Sequence, residues 1–190
     1  MPKLIKAEEI AIEWEDLDKW EHRKQPPMKR SSGVHLSGII HALSDRGGYK
    51  DSDEMPLRMA LGMAWENWII GMLPTVKWQP GEWECDGVYG TPDGLITKPL
   101  TLQEFKLTYY SINKWKDPLE YNRWRWQLAG NCFVMGIKDV VLHVLWVNGD
   151  YKPPSPKYIR YSYNYTDEEL QSFWDNVVMP NRELAKKEEH

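Results

Sequence analysis

The most constraining stretch of the chain is Leu102-Gln103-Glu104-Phe105-Lys106-Leu107, where opposite charges stand two residues apart in an otherwise apolar run. Period-two patterning marks it as a strand, predicted over 101–107. Alternate side chains of a strand share a face. Glu104 and Lys106 therefore point one way, while Phe105 turns into the apolar layer. An unpaired charge in such a layer is costly, which argues for a paired, working role over a chance surface ion pair. Thr91-Pro92-Asp93-Gly94 opens a second predicted strand at 94–97. A short Lys98-Pro99 turn joins the two, so the Asp93 carboxylate can converge on Glu104 across the sheet.

Around this hairpin the pattern predicts a helix over 8–22, a basic proline-containing link at Arg23–Arg30, and a helix over 35–44 broken by Gly47-Gly48. A longer helix is predicted over 55–73, with Leu57, Leu61, Ala64, Trp65, Trp68 and Met72 as its apolar stripe. Further strands are expected at 83–89, 139–147 and 157–164, and a helix near 118–135. The last helix opens on Thr166-Asp167-Glu168-Glu169, a capping-box pattern. Residues 186–190 read as disordered. A chain of 190 residues with 42% apolar and 27% charged residues suits one globular domain. The element order fits an α/β class with a mixed central sheet flanked by helices.

A net charge of −4 argues against a general nucleic-acid coat protein, yet leaves room for a local basic patch and a carboxylate metal site. Cys85 and Cys132 are too few for an iron–sulfur cluster and suit a reduced, cytoplasmic protein. No stretch has the length of a membrane span, and the charged N-terminus lacks a signal peptide's apolar core. The 11 tryptophans are explained more simply by core and interface packing than by base stacking. His143, in an apolar strand, reads as a core histidine. Converging carboxylates beside a lysine suit Mg²⁺, with Mn²⁺ as substitute: both prefer hard oxygen ligands, and a lysine can offset phosphate charge.

With these residues in view the chain resembles the PD-(D/E)xK nuclease superfamily, and within it the lambda-type phage exonucleases (the YqaJ-like group). The resemblance spans about residues 28–185. It rests on Arg30-Ser31-Ser32-Gly33-Val34-His35-Leu36-Ser37, Met59-Ala60-Leu61-Gly62-Met63-Ala64-Trp65-Glu66, the Thr91–Leu95 and Glu104–Lys106 half-motifs, and Trp126-Gln127-Leu128-Ala129-Gly130-Asn131, in that order. It implies a restriction-endonuclease-like core. Asp93, Glu104 and the Phe105 carbonyl would be metal ligands, and Glu66 an outer or second-metal carboxylate. Lys106 would be the catalytic lysine, and Gln127 would orient it or the scissile phosphate. Arg30 and Ser37 would grip a DNA 5′-phosphate.

The implied activity is exonucleolytic degradation of linear duplex DNA from a 5′-phosphorylated end. The resemblance also implies a ring-like homo-oligomer, a trimer, around the DNA. It places the chain in phage recombination inside a bacterial host, beside a single-strand annealing protein. Two alternatives stand beside it: a structure-specific or restriction-like endonuclease on the same core, and a non-catalytic DNA-end-binding protein. Fold alone does not fix the cutting mode.

Overall fold

The structure, a computed structural model, describes residues 1–11, 30–45, 55–150 and 155–185. The central sheet is built from β1 (Lys3–Ile10), β3 (Lys77–Trp78), β6 (Gly94–Thr97), β7 (Leu100–Thr108), β8 (Asp139–Trp146) and β9 (Lys157–Asn164). Their order is β1-β9-β8-β7-β6-β3. β7 and β8 run parallel and the other neighbours antiparallel, which makes the sheet mixed, as expected. A small second sheet joins β2 (Val34–His35), β5 (Val88–Gly90) and β4 (Trp83–Cys85) in that order.

The helices are α1 (Leu36–Asp45), α2 (Met55–Met72), α3 (Asn122–Met135), α4 (Asp167–Phe173) and α5 (Met179–Ala185), with a π turn at Trp174–Val178 between the last two. The predicted capping box is present: Thr166 Oγ1 accepts from the Glu169 N–H at 3.2 Å, and Glu169 Oε2 accepts from the Thr166 N–H at 3.1 Å.

The two faces of the sheet have separate cores. On one, Leu102, Val140, Leu142, Val144 and Trp146 pack against Leu119, Trp124, Leu128 and Cys132 on and just before α3. On the other, Phe105 and Tyr158 pack against Trp65, Ile69 and Ile70 of α2, with Val76 and Trp78. A third cluster joins the small sheet to α1 and the C-terminal helices through Val34, Leu36, Ile39, Val88, Trp174 and Val178.

Three expectations are corrected. The N-terminal segment is a strand at Lys3–Ile10, not the start of a helix: β9 offers it a full antiparallel partner, and Arg160 pairs with Glu8 at 3.0 Å. Its lysines and glutamates protect a sheet edge. The strand expected at 83–89 is a hairpin turning at Asp86-Gly87, where both residues have positive φ (51° and 74°). That pair is the signature of a tight two-residue hairpin turn. The α2 stripe is shifted: Trp65, Ile69 and Ile70 are buried, whereas Leu57 and Leu61 are exposed, because only the second half of α2 packs on the sheet. The remainder of the helix predicted over 8–22, the link before Arg30, the Gly47-Gly48 break and residues 186–190 lie outside the described residues.

α3 approaches α1 closely because Gly130 has no side chain. A Cβ there would stand 2.3 Å from Leu36 Cδ2 and 2.7 Å from Cδ1, and Leu36 is itself 2% exposed. Gly130→Ala should therefore destabilise. Overpacking costs about 1–3 kcal/mol, against the roughly 1 kcal/mol that alanine gains in a helix. Urea unfolding would show a lower midpoint at unchanged slope. An unchanged or higher midpoint would mean that α1 shifts freely.

Candidate active site

The β6–β7 hairpin sets the site. Its ladder pairs Thr97 with Leu100 and ends at Gly94 with Gln103. Beyond Gly94 the side chain of Asp93 takes over: its Oδ2 accepts the Phe105 N–H at 2.9 Å. The backbone N–H that the ladder leaves open thus draws a carboxylate up beside Glu104. Gly94 lets the strand lie against Val76, since a Cβ there would meet Val76 Cγ1 at 2.7 Å. Phe105 points to the α2 side, its ring centroid 4.7 Å from that of His143. Glu104 and Lys106 point to the opposite side, as strand alternation requires.

Glu104 is fully buried, and its Oε1 accepts from Lys106 Nζ at 2.5 Å. Burial, then the neighbouring Asp93 charge, pushes the Glu104 carboxyl well above the ordinary range, with Lys106 opposing. For Lys106, burial by itself would favour the neutral amine. The Glu104, Asp93 and Glu66 carboxylates more than reverse this and hold it charged, its pKa raised.

Glu66, from α2, is the third carboxylate. Its Oε1 accepts from Trp78 Nε1 at 2.7 Å. Burial first, and Asp93 second, raise its pKa from 4.5 to about 7, against the opposing Trp78 N–H and Lys106.

Four residues singled out in the sequence, Glu66, Asp93, Glu104 and Lys106, therefore form one electrostatic cluster. Gln127 lies half-buried on α3, and no hydrogen bond ties it to that cluster among the described residues. Ser37 is exposed in the first turn of α1. β2 runs parallel to β5, so α1 and the Thr91-Pro92-Asp93 segment leave the small sheet at the same end. Arg30 is exposed at the other end of β2, beside Glu82. Glu82 fixes that turn: Oε2 accepts the Ser31 N–H at 2.8 Å, and Oε1 lies 3.6 Å from His35 Nδ1.

His143 is the satisfied core histidine that was expected. Its Nε2 donates to Gln103 Oε1 at 2.8 Å, which leaves Nδ1 to accept from the Tyr158 hydroxyl at 2.6 Å. Burial, then Arg160, lowers its pKa to about 3, so the ring is neutral. Trp78 and Glu82 were not singled out in the sequence. Trp78 lies in a two-residue strand, too short to show periodicity, and Glu82 in the irregular segment before β4.

The donor set is carboxylate oxygen, which suits a hard divalent cation. The Asp93 charge acts on Glu104, whose Oε2 is buried without a donor. A cation would satisfy that atom. Among the described residues no three acidic, histidine or cysteine side chains stand together as a group that could hold a metal ion. Lys106 and Trp78 each engage an oxygen that would otherwise be free.

Among solved structures the chain is similar to a phage-related exonuclease from Haemophilus somnus 129PT, with a TM-score of 0.50, 8% identity, and 80% of this chain and 81% of that one covered. It shares that exonuclease's fold. An alkaline exonuclease from Laribacter hongkongensis aligns over 83% of this chain and 93% of its own, at 14% identity and a TM-score of 0.44. No protein-family model and no curated protein matches the chain. The mixed sheet flanked by helices is the restriction-endonuclease-like core that the exonuclease resemblance implies. No described helix is long and apolar enough to cross a membrane.

The raised pKa of Glu66 has a measurable cost. The unfolded chain releases this proton near 4.5, whereas the native protein keeps it up to about 7. Native stability contributed by the group is thus lost as pH rises through that window, and stays lost above it. Replacing Glu66 by glutamine removes the loss. Relative to wild type in chelator, Glu66→Gln should become more stable between pH 5 and pH 8, by on the order of 1–3 kcal/mol. A difference between the two proteins that is the same at both pH values in urea unfolding would show that the fold does not hold Glu66 neutral.

Proposed function

We propose that the protein is a metal-dependent DNA nuclease, an exonuclease acting on linear duplex from a 5′-phosphorylated end. The observation that carries this is the Asp93 carboxylate fixed by the Phe105 N–H beside the ion pair of buried Glu104 with Lys106, with Glu66 within reach of the Asp93 and Lys106 charges. The exonuclease fold supports it.

Asp93, Glu104, the Phe105 carbonyl and Glu66 would hold Mg²⁺ or Mn²⁺. When bound, such a cation neutralises phosphate charge and makes water a better nucleophile. Lys106, held charged by its carboxylate neighbours, serves as a fixed positive group for the charge that develops on phosphate. The same group stands where it can hold the attacking water. Gln127 would orient Lys106 or the scissile phosphate. The exposed Arg30 suits bidentate capture of a terminal phosphate, and Ser37 lies in a helix first turn that favours an anion. A homo-oligomeric ring around DNA and a strand-annealing partner belong to the same reading.

Incubation with Mg²⁺ and either linear or covalently closed circular duplex tests it. Loss of the linear form alone is the expected result. Nicking of circles would make the protein an endonuclease, and binding without cutting would make it an end-binding protein. Glu104→Ala should lower the rate at least ~100-fold. A folded variant that cuts at near the wild-type rate would overturn the site.

The end preference is tested separately, on two duplexes differing only in the terminal phosphate. Wild type should digest the 5′-phosphorylated duplex faster than the 5′-hydroxyl one, and Arg30→Ala should narrow the gap. Absence of any preference in wild type, or its full retention in the variant, would remove Arg30 as the end sensor.

A further inference from the structure

Trp78 joins the two acidic residues that reach the site from different elements. Its backbone pairs with Gly94 in the β3–β6 ladder, and the next residue, Gln79, donates its N–H to the Asp93 carbonyl at 2.9 Å. Its side chain, 9% exposed, packs with Trp65, Ile69 and Ile70 of α2 and donates its indole N–H to Glu66 Oε1 at 2.7 Å. One residue therefore fixes Asp93 through strand register and Glu66 through a hydrogen bond.

That bond is not a default of the cluster. Trp65, in the same cluster, has a buried indole N–H with no partner among the described residues. An indole has a single donor and no charge. It commits one oxygen of Glu66 and leaves the carboxylate's charge uncompensated, where a lysine or arginine would neutralise it.

We propose that Trp78 is a positioning residue of the carboxylate cluster, whose indole N–H orients Glu66 for a divalent cation held with Asp93. The proposal rests on the reading of these carboxylates as metal-holding groups. Partners that orient metal-binding side chains are worth about 10–100-fold in metal affinity.

Calorimetric titration of the full chain with Mn²⁺, without DNA, tests it. Trp78→Phe removes the donor and should weaken Mn²⁺ binding about 10–100-fold, while urea unfolding in chelator shows a folded protein. Trp78→Leu, which has no side-chain donor, is read in the same way should the phenylalanine variant not fold. In a Glu66→Ala background the substitution at Trp78 should cause no further loss, because its effect passes through Glu66. Unchanged Mn²⁺ affinity in the single variants would overturn the proposal, and so would an equal loss in both backgrounds, which would mark a packing effect. Failure of the wild-type protein to bind Mn²⁺ would instead overturn the metal-dependent reading, and this proposal with it.

Discussion

The site depends on one hydrogen bond, from the Phe105 N–H to Asp93 Oδ2. It forms where the β6–β7 ladder runs out, so strand register alone decides that the partner is a side chain and that the side chain is Asp93. Phe105 is also the joint between the two layers. Its ring belongs to the cluster that seats α2, while the residues on either side of it, Glu104 and Lys106, project to the α3 face. A strand can serve both layers in this way only because alternate side chains point to opposite faces. Displacing Phe105 would move Asp93 through the backbone and Glu66 through α2 together.

The cluster is an arrangement that folding alone would not favour. Three carboxylates face one ammonium, and Glu104 has no exposed surface over which water could solvate it. Burying a charge is costly unless it is paired and hydrogen-bonded. Lys106 pairs one oxygen of Glu104 and leaves the other without a donor. The raised pKa values of Glu66 and Glu104 express that deficit, since the fold holds protons that water would remove. A neighbouring buried group shows the contrast. His143, one strand over, has both ring nitrogens satisfied. Carboxylates with raised pKa values gathered beside one ammonium are a pattern expected of a working site.

The hairpin and its charges were legible because they depend on short-range pattern: alternation in β7, a turn before it, and Asp93 at the strand entry. The Thr166 capping box was legible for the same reason. What escaped were features fixed by distant partners. β1 reads locally as a charged segment and becomes a strand only because β9, far along the chain, presents an open edge: Glu9 and Lys157 are 148 residues apart. β3 is two residues long and exists because β6 is there to pair with it. The Asp86-Gly87 turn is an exception, since that dipeptide is a local hairpin signal; an unbroken run of strand-forming residues on either side concealed it.

α2 shows why the apolar stripe was misplaced and why Glu66 is nonetheless where the site needs it. The helix is apolar almost throughout, so spacing alone cannot choose its inner face. Packing chooses it: Trp65, Ile69 and Ile70 meet the sheet, while Leu57 and Met63 remain 65% and 62% exposed. Glu66 follows directly on Trp65, at the point where the helix comes down onto that core. Its carboxylate is therefore held by the same contact that anchors the helix, and the Trp78 indole completes the hold from the sheet edge. A residue placed one turn earlier would lie on the exposed half, beside solvent, with neither the burial nor the Asp93 charge that shifts its pKa. The position of Glu66 follows from where α2 stops being free and starts being packed.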